Sequence, residues 1–395
     1  MRSTGYYEFM NPVRIVSGYK AVDNLPYELT QLGVSRPLLI TDTGIIQAGL
    51  LKIVQAAFDD ASVQLAAVFD QTPPDSSMEI VKRVAAIYRN HNCDAFIALG
   101  GGSCIDTAKG VNIVITEQTE ELAPLAGAEI LSKPMQPCIV IPTTAGTGSE
   151  VTAVAVIADP DHHRKLPFTS RHLLPDVAVL DPRMTLSLPP RLTAATGMDA
   201  LVHAMESYLS LQKNPLSDAY ATSAIQLIRD HLLAVVRDGS NPQARLALAE
   251  AATMAGIAFS NAMVGVVHAL GHAAGAVARV PHGEAMAILL PHGLTYNLKK
   301  VANQVGELLL PLAGAEVYAN TPSKARAERT IDQVNELLRE LNAACGLSMT
   351  LKSAGVDRAT LPQMAQTALN DGALTYNPRE VDYDDALRLL EGAYD

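Results

Sequence analysis

Cysteine is scarce in this chain: only Cys93, Cys104, Cys138 and Cys345 occur, and no two of them form a CxxC pair. That excludes a disulfide framework and points to buried thiols in a reducing compartment. Clustered basic residues are also lacking, and the formal net charge is -11 with a pI near 5.4. A surface built to neutralise phosphate backbones needs the opposite balance, so no nucleic acid partner is expected. No stretch approaches the ~18 consecutive apolar residues of a membrane helix. The opening MRSTGYYEFMNPVRIVSG has no apolar core of a signal peptide either. The expectation is a cytoplasmic protein with no membrane partner. Internal repeats and low-complexity tracts are absent.

What remains is a chain with the means to build a large interior. Its 395 residues are 48% apolar and 18% charged, with 26 glycines spread along the length, a soluble globular composition. That length exceeds what one core usually organises and implies two domains. In the first half, Pro37–Thr41, Val63–Phe69, Ala95–Leu99 and Cys138–Pro142 read as strands, while Ser76–Arg89 and Ser103–Ile115 read as helices. Such alternation predicts an α/β domain with a mostly parallel sheet. A last short strand in VAVLDPRMTLSLPP, followed by Pro182, Pro189 and Pro190, marks the boundary. Beyond it, Leu192–Leu211, Ala219–Val236 and Arg245–Ser260 have helical periodicity. The expected organisation is an α/β domain over 1–188 and an all-α domain over 189–395.

Two loops in the first half suit phosphate. Gly100, Gly101, Gly102 and Ser103 follow the strand at Ala95–Leu99 and open a helix, so backbone amides and the positive end of the helix can approach a pyrophosphate. The spacing is not GxGxxG, and an ordinary strand-to-helix turn reads the same way. The second loop, from Pro142 to Glu150, carries Thr143, Thr144 and Thr147 with Gly146 and Gly148 after another strand. Its hydroxyls can donate to phosphate or ribose without adding charge. Ligands of open parallel sheets sit at the carboxyl ends of strands, where both loops fall. Asp42, after the strand at Pro37–Thr41, is either a helix cap or the acceptor for a ribose diol.

In the second half, Asp199 and His203 stand four residues apart in a helical run and share one face. His268 and His272 repeat that spacing, and His282 follows where their helix should end. Three imidazoles within fifteen positions of an apolar Gly- and Ala-rich segment would be costly to bury without partners. A carboxylate with imidazoles and no thiolate suits Fe(II), Zn(II), Mn(II), Ni(II) or Co(II) alike. With an open position, such an ion acts as a Lewis acid on a substrate oxygen.

Taken together, the segments GGGSCIDTAKG (Gly100–Gly110), PTTAGTGSEVT (Pro142–Thr152), Asp199 to His203, HALGHAAGAVARVPHGEAMAILLPH (His268–His292) and NPRE (Asn377–Glu380) resemble, in order, the signatures of the iron-dependent, or group III, alcohol dehydrogenases. The resemblance spans the whole chain. It implies that Asp199, His203, His268 and His282 bind the metal, Fe(II) with Zn(II) as the alternative, and that His272 lies near the nicotinamide and substrate as a proton relay. It implies NAD contacts from Asp42, Gly101, Gly102, Ser103, Asp106, Thr143, Thr144, Thr147 and Lys165, and places Phe259 at the substrate pocket. The implied reaction moves a hydride between a small alcohol, or its aldehyde, and NAD, in a homodimer or larger homo-oligomer. Two departures stand out: Thr72-Pro73-Pro74-Asp75 where the family often has Asn-Pro, and Cys104 where Ser, Pro or Val are common.

Rival readings are weaker. A polyol dehydrogenase of glycerol type shares the architecture but usually carries fewer of these segments. Dehydroquinate synthase needs a Lys and Arg cluster, and none stands around the histidines of the second half. A purely assembling, non-catalytic module would have no use for the complete set of ligand residues.

Overall fold

The computed structural model describes residues 5–159 and 164–395, which divide into two compact units. One is Asn11–Ser187. The other is Leu188–Asp395 together with the N-terminal segment that ends at Met10.

In the first unit, six strands form a fully parallel sheet: β1 (Arg14–Ser17), β2 (Pro37–Ile40), β3 (Ala67–Phe69), β4 (Ala95–Gly100), β6 (Cys138–Pro142) and β9 (Val177–Leu180), in the order β1-β9-β6-β4-β2-β3. Helices α1 (Leu25–Gln31), α2 (Thr43–Gln47), α3 (Leu50–Ala56), α4 (Met78–Asn90) and α5 (Gly102–Glu117) connect them. Strands buried on both faces read as continuous apolar runs. Leu38, Ile40, Phe96, Ala98 and Val140 pack with Val81, Val84, Ile105 and Ala108 of α4 and α5. The alternate residues Leu39, Ile97, Leu99, Ile139 and Ile141 pack with Leu25, Leu29, Leu50 and Val54. From β2 the chain runs outward to β3 and then returns to β4 on the other side of β2. The order therefore reverses between β2 and β4, and ligands of such sheets bind outside the carboxyl ends at that point.

The strand expected over Val63–Phe69 is shorter than its apolar pattern. Gln64 donates from Nε2 to the carbonyls of Phe58 and Ala61, which holds the first residues in a turn, and pairing starts only at Ala66. A second, smaller sheet, β5 (Gly127–Ala128), β8 (Arg164–Thr169) and β7 (Val154–Asp159), escapes the sequence reading. Its β7 and β8 pair antiparallel.

In the second unit, the described segments of regular structure are helical: α6 (Pro190–Leu209), α7 (Pro215–Arg237), α8 (Pro242–Ala262), α9 (Val266–Ala278), α10 (His282–Glu307), α11 (Leu309–Asn320), α12 (Arg326–Cys345), α13 (Leu361–Ala368) and α14 (Tyr383–Gly392). Proline at the first position starts α6, α7 and α8, where its missing N–H is no loss. His282 does not close the helix of His268 and His272. Arg279, in the left-handed region, ends α9, and Pro281 then starts α10 with His282 as its first residue. Among the described residues no single helix is long and apolar enough to cross a membrane.

Candidate active site

The three strand ends around the order reversal bring the first unit's candidate residues together. Asp42 follows β2 and caps α2, accepting from Ile45 N at 3.0 Å through Oδ1. Its Oδ2 accepts from the Cys104 thiol at 3.5 Å. The cap reading of Asp42 is thus realised, and its half-buried carboxylate is fixed at the end of β2. Burial first, and then Asp42, push the Cys104 thiol far above its usual range, so this cysteine packs and does not react.

After β4, Gly100 has φ +158 and an added Cβ there would lie 2.5 Å from Cys104 Sγ, so only glycine lets α5 start this close to the strand. Gly101 is the N-cap of α5, and no side chain caps it. The second loop leaves β6 beside it, tied by Thr143 N to Gly100 O at 3.1 Å. A Cβ on Gly101 would meet Thr144 Oγ1 at 3.4 Å, and one on Gly102 would meet Thr147 Cγ2 at 3.4 Å. Bare backbone of one loop therefore faces the threonines of the other around an uncapped helix start, a cradle that fits a diphosphate.

Behind these loops, Asp106 accepts from Val156 N at 3.2 Å, and burial raises its carboxyl to about 6 against the pull of Lys109. Lys165 lies on β8 with its ammonium exposed, 2.8 Å from Asp75. That pair joins the residue the resemblance singled out to the segment where the chain departs from the family.

The second unit supplies the metal candidates. Asp199 and His203 lie on α6, His268 and His272 on α9, and His282 opens α10. Asp199, His268 and His282 each offer a donor atom, and these atoms lie within 4.8 Å of one another. His282 Nε2 is 3.2 Å, His203 Nδ1 3.8 Å and His268 Nε2 3.9 Å from Asp199 Oδ1. Among the described residues, Asp199 Oδ1, His203 Nδ1 and His268 Nε2 are buried and make no hydrogen bond. Leaving such atoms unsatisfied costs ~1–3 kcal/mol each, and three converging on one spot call for a common partner. Burial lowers the His203 imidazole to about 3 and that of His268 well below its usual value, so both present lone pairs. Burial opposes ionisation of Asp199, but His203, His282 and His268 outweigh it and hold the carboxyl well below its ordinary range. One carboxylate and three imidazoles, with no thiolate, fit a divalent transition metal.

Comparison with known proteins settles the family. The family description "Iron-containing alcohol dehydrogenase" matches residues 12–182, and "Fe-containing alcohol dehydrogenase family, C-terminal" matches 193–394. The chain belongs to the iron-containing alcohol dehydrogenase family. It is 36% identical over 376 residues to the 1,3-propanediol dehydrogenase of Klebsiella pneumoniae, covering 95% of each chain. To the NAD-dependent methanol dehydrogenase of Bacillus methanolicus it is 33% identical over 388 residues, covering 98% of this chain and 99% of that one. A crystal structure of 1,3-propanediol oxidoreductase superposes with a TM-score of 0.94 at 34% identity, covering 99% of this chain and 100% of that chain. The protein is therefore an oxidoreductase of the alcohol dehydrogenase class.

Around this cluster lie further buried polar residues, of which sequence reasoning had noticed only Asn377, in the NPRE motif. Glu206, one turn beyond His203 on α6, is buried and accepts from the amides of Gly265 at 3.0 Å and Val267 at 2.7 Å. It also contacts His268 Nδ1 at 2.6 Å. Burial raises its carboxyl to about 7 against those amides. Held this way, the His268 ring turns Nε2 toward Asp199, the arrangement in which a carboxylate orients a metal-binding histidine. The amide between them, Val266 N, goes to Asn377 Oδ1 at 3.2 Å, and Asn377 exchanges amide bonds with Asn297. That explains the NPRE tail structurally: it completes the start of α9. A Cβ at Gly265 would strike Asn377 Oδ1 at 2.7 Å.

His272 is half exposed, and its Nδ1 lies 2.7 Å from Asp371 Oδ2. Burial works against the charge on Asp371, but His272 prevails and keeps its carboxyl low. Phe259 of α8 stacks on His203 with ring centroids 4.2 Å apart, so it touches the cluster through that imidazole. The short helical spacings made the histidines visible, and the NPRE motif pointed to Asn377; Glu206 and Asp371 are reached only through tertiary contacts.

Proposed function

We propose that this protein is an NAD-dependent, iron-using dehydrogenase of small primary alcohols, diols included, working in the cytoplasm. One observation carries the metal assignment: three buried donor atoms, on Asp199, His203 and His268, converge without hydrogen bonds. Asp199, His203, His268 and His282 would hold the ion, and the cradle of Gly101, Gly102, Ser103, Thr143, Thr144 and Thr147, with Asp42, Asp106 and Lys165 around it, would hold NAD. When bound, the ion polarises the substrate oxygen and the nicotinamide accepts the hydride. The chain's own part is to orient and to move a proton. With Nδ1 held by Asp371, His272 presents Nε2 to take the hydroxyl proton and pass it to solvent. Phe259 borders the substrate through its stack on His203. The relatives' names, one NAD-dependent and acting on methanol, the other acting on 1,3-propanediol, support the cofactor and the substrate class.

Iron in place of zinc rests on the family. By the usual order of affinities the site binds Zn(II) at least as tightly as Fe(II), so tight binding and best catalysis need not coincide. Peroxide is expected to inactivate the protein, and anaerobic Fe(II) to restore more activity than Zn(II). Protein with stoichiometric zinc that keeps full activity after prolonged oxidation overturns iron while leaving the ligands standing. The family likeness also leads us to expect a homodimer or larger homo-oligomer, which light scattering measures.

Asp42 sets the choice of dinucleotide in this reading. Its carboxylate accepts from a ribose diol and repels a 2′-phosphate. Asp42→Gly keeps a residue tolerated at a helix N-cap, so the expected result is a folded protein whose preference for NAD over NADP falls by about 5- to 150-fold, an effect of ~1–3 kcal/mol. A wild-type protein that already uses both equally would show the assignment to be wrong.

A further inference from the structure

Lys109 stands two turns into α5, 3% exposed, next to last in the signature segment Gly100–Gly110. Its ammonium donates to the carbonyls of Ser149 at 2.9 Å, Thr152 at 2.7 Å and Val154 at 2.8 Å, with Thr152 Oγ1 at 3.2 Å. These carbonyls run from the first residue of the 3-10 turn Ser149–Val151 to the first residue of β7, where the second loop passes into that strand. An ammonium has three donors, and here backbone carbonyls match all of them. Three carbonyls converging on one point suit a cation with three donors.

The same helix reads the other polarity of the same backbone. Three residues earlier, Asp106 accepts from Val156 N. An acid and a base one turn apart on α5 thus hold the stretch 149–156 by its N–H and C=O groups together. At its entry, the second loop is tied to Gly100 by Thr143 N. Both ends of the loop are therefore fastened to the single β4–α5 segment that carries the first loop, so the facing threonines and glycines keep their spacing. Burial draws the Lys109 ammonium down to about 8, and Asp106 and Glu150 draw it back up.

We infer that Lys109 is a positioning residue for dinucleotide binding: it fixes the second loop against the first so that the two close around the diphosphate, and it acts on cofactor affinity without touching the cofactor. This rests on the dinucleotide reading above. Substitution should therefore separate binding from chemistry.

The test uses the Fe(II)-loaded protein and NADH as the probe, followed by fluorescence titration and steady-state rates. Lys109→Met keeps a long buried chain and removes the three donors. It is expected to raise the NADH Kd and the KM for dinucleotide by about tenfold or more, with kcat at saturating dinucleotide and metal content within about twofold of wild type. If that variant does not fold, Thr152→Val removes one acceptor with the cation left in place, and should weaken NADH by about two- to fivefold. An unchanged Kd in folded Lys109→Met, or in Thr152→Val where it stands in, overturns the inference. So does a parallel loss of kcat, metal and thermal stability, which marks a general structural role. Wild-type protein that binds neither NADH nor NADPH overturns the dinucleotide reading beneath it, and that failure is recognised before any variant is made.

Discussion

Replacing His268 by alanine is expected to yield a folded protein that has lost most of its metal and, with it, turnover by on the order of 10²–10³-fold or more. The ring is buried on α9 and makes its one hydrogen bond through Nδ1, to Glu206. Its Nε2 points at the Asp199 carboxylate and has no other partner among the described residues. Removing the ring deletes a donor from the centre of the cluster and its tilted packing on His203 at 4.5 Å. The start of α9 survives, because Glu206 still receives the Gly265 and Val267 amides and Asn377 receives Val266. Circular dichroism should therefore be unchanged while elemental analysis and rate fall together. A folded variant that lacks metal yet turns over at the wild-type rate would remove the ion from the chemistry. One that keeps its metal would remove His268 from the ligands.

The second large effect concerns Glu206, whose Oε1 accepts the Val267 amide while Oε2 accepts the Gly265 amide and meets His268 Nδ1. Glutamine has the same shape but offers one acceptor oxygen and one NH₂ group. Turned toward Val267, the NH₂ confronts a buried N–H, which costs ~1–3 kcal/mol. Turned toward His268, it demands the lone pair of Nδ1 and drives the ring proton onto Nε2, the atom that must stay bare for an ion. Either way Glu206→Gln is expected to weaken metal binding by about 10–100-fold. Competition with a chelator for Zn(II) or Co(II) measures this without any assay of turnover. Equal metal affinity and equal thermal stability in the variant would show that the contact does not orient the ligand.

The sequence made some of this plain and hid the rest for physical reasons. The strands at Pro37, Ala95 and Cys138 were legible because both of their faces are buried, so they are apolar throughout. The small sheet was not, since β7 alternates buried with half-buried residues and β8 contains Pro167, a pattern shared with ordinary loops. Asp199 with His203 and His268 with His272 stood out by helical spacing. Their convergence with His282 depends on how α6, α9 and α10 pack, which no local spacing encodes. Glu206 is one more acid in a helix, and Lys109 lies in the Gly100–Gly110 segment with nothing local to mark it; burial against the backbone groups of distant segments is what distinguishes them. Asn377 was noticed in a motif, while its partner atoms lie 80 and 111 positions away.

The capping of α9 from α6 also bears on the order in which the site can assemble. Gly265 offers no side chain to its own helix, and Gly271 and Gly275 lie within it, so in isolation the segment is a poor helix former. Its first amides are satisfied by a carboxylate about 60 positions earlier in the chain and an amide 111 positions later. Such a helix cannot be completed before its distant partners arrive, and closing those long loops is slow. Asp199 and His203 are aligned by one helix alone, whereas the placing of His268 depends on α9 and so on those distant partners. An ion captured by the nascent pair would wait for α9, and binding the full set would stabilise the late-formed element most.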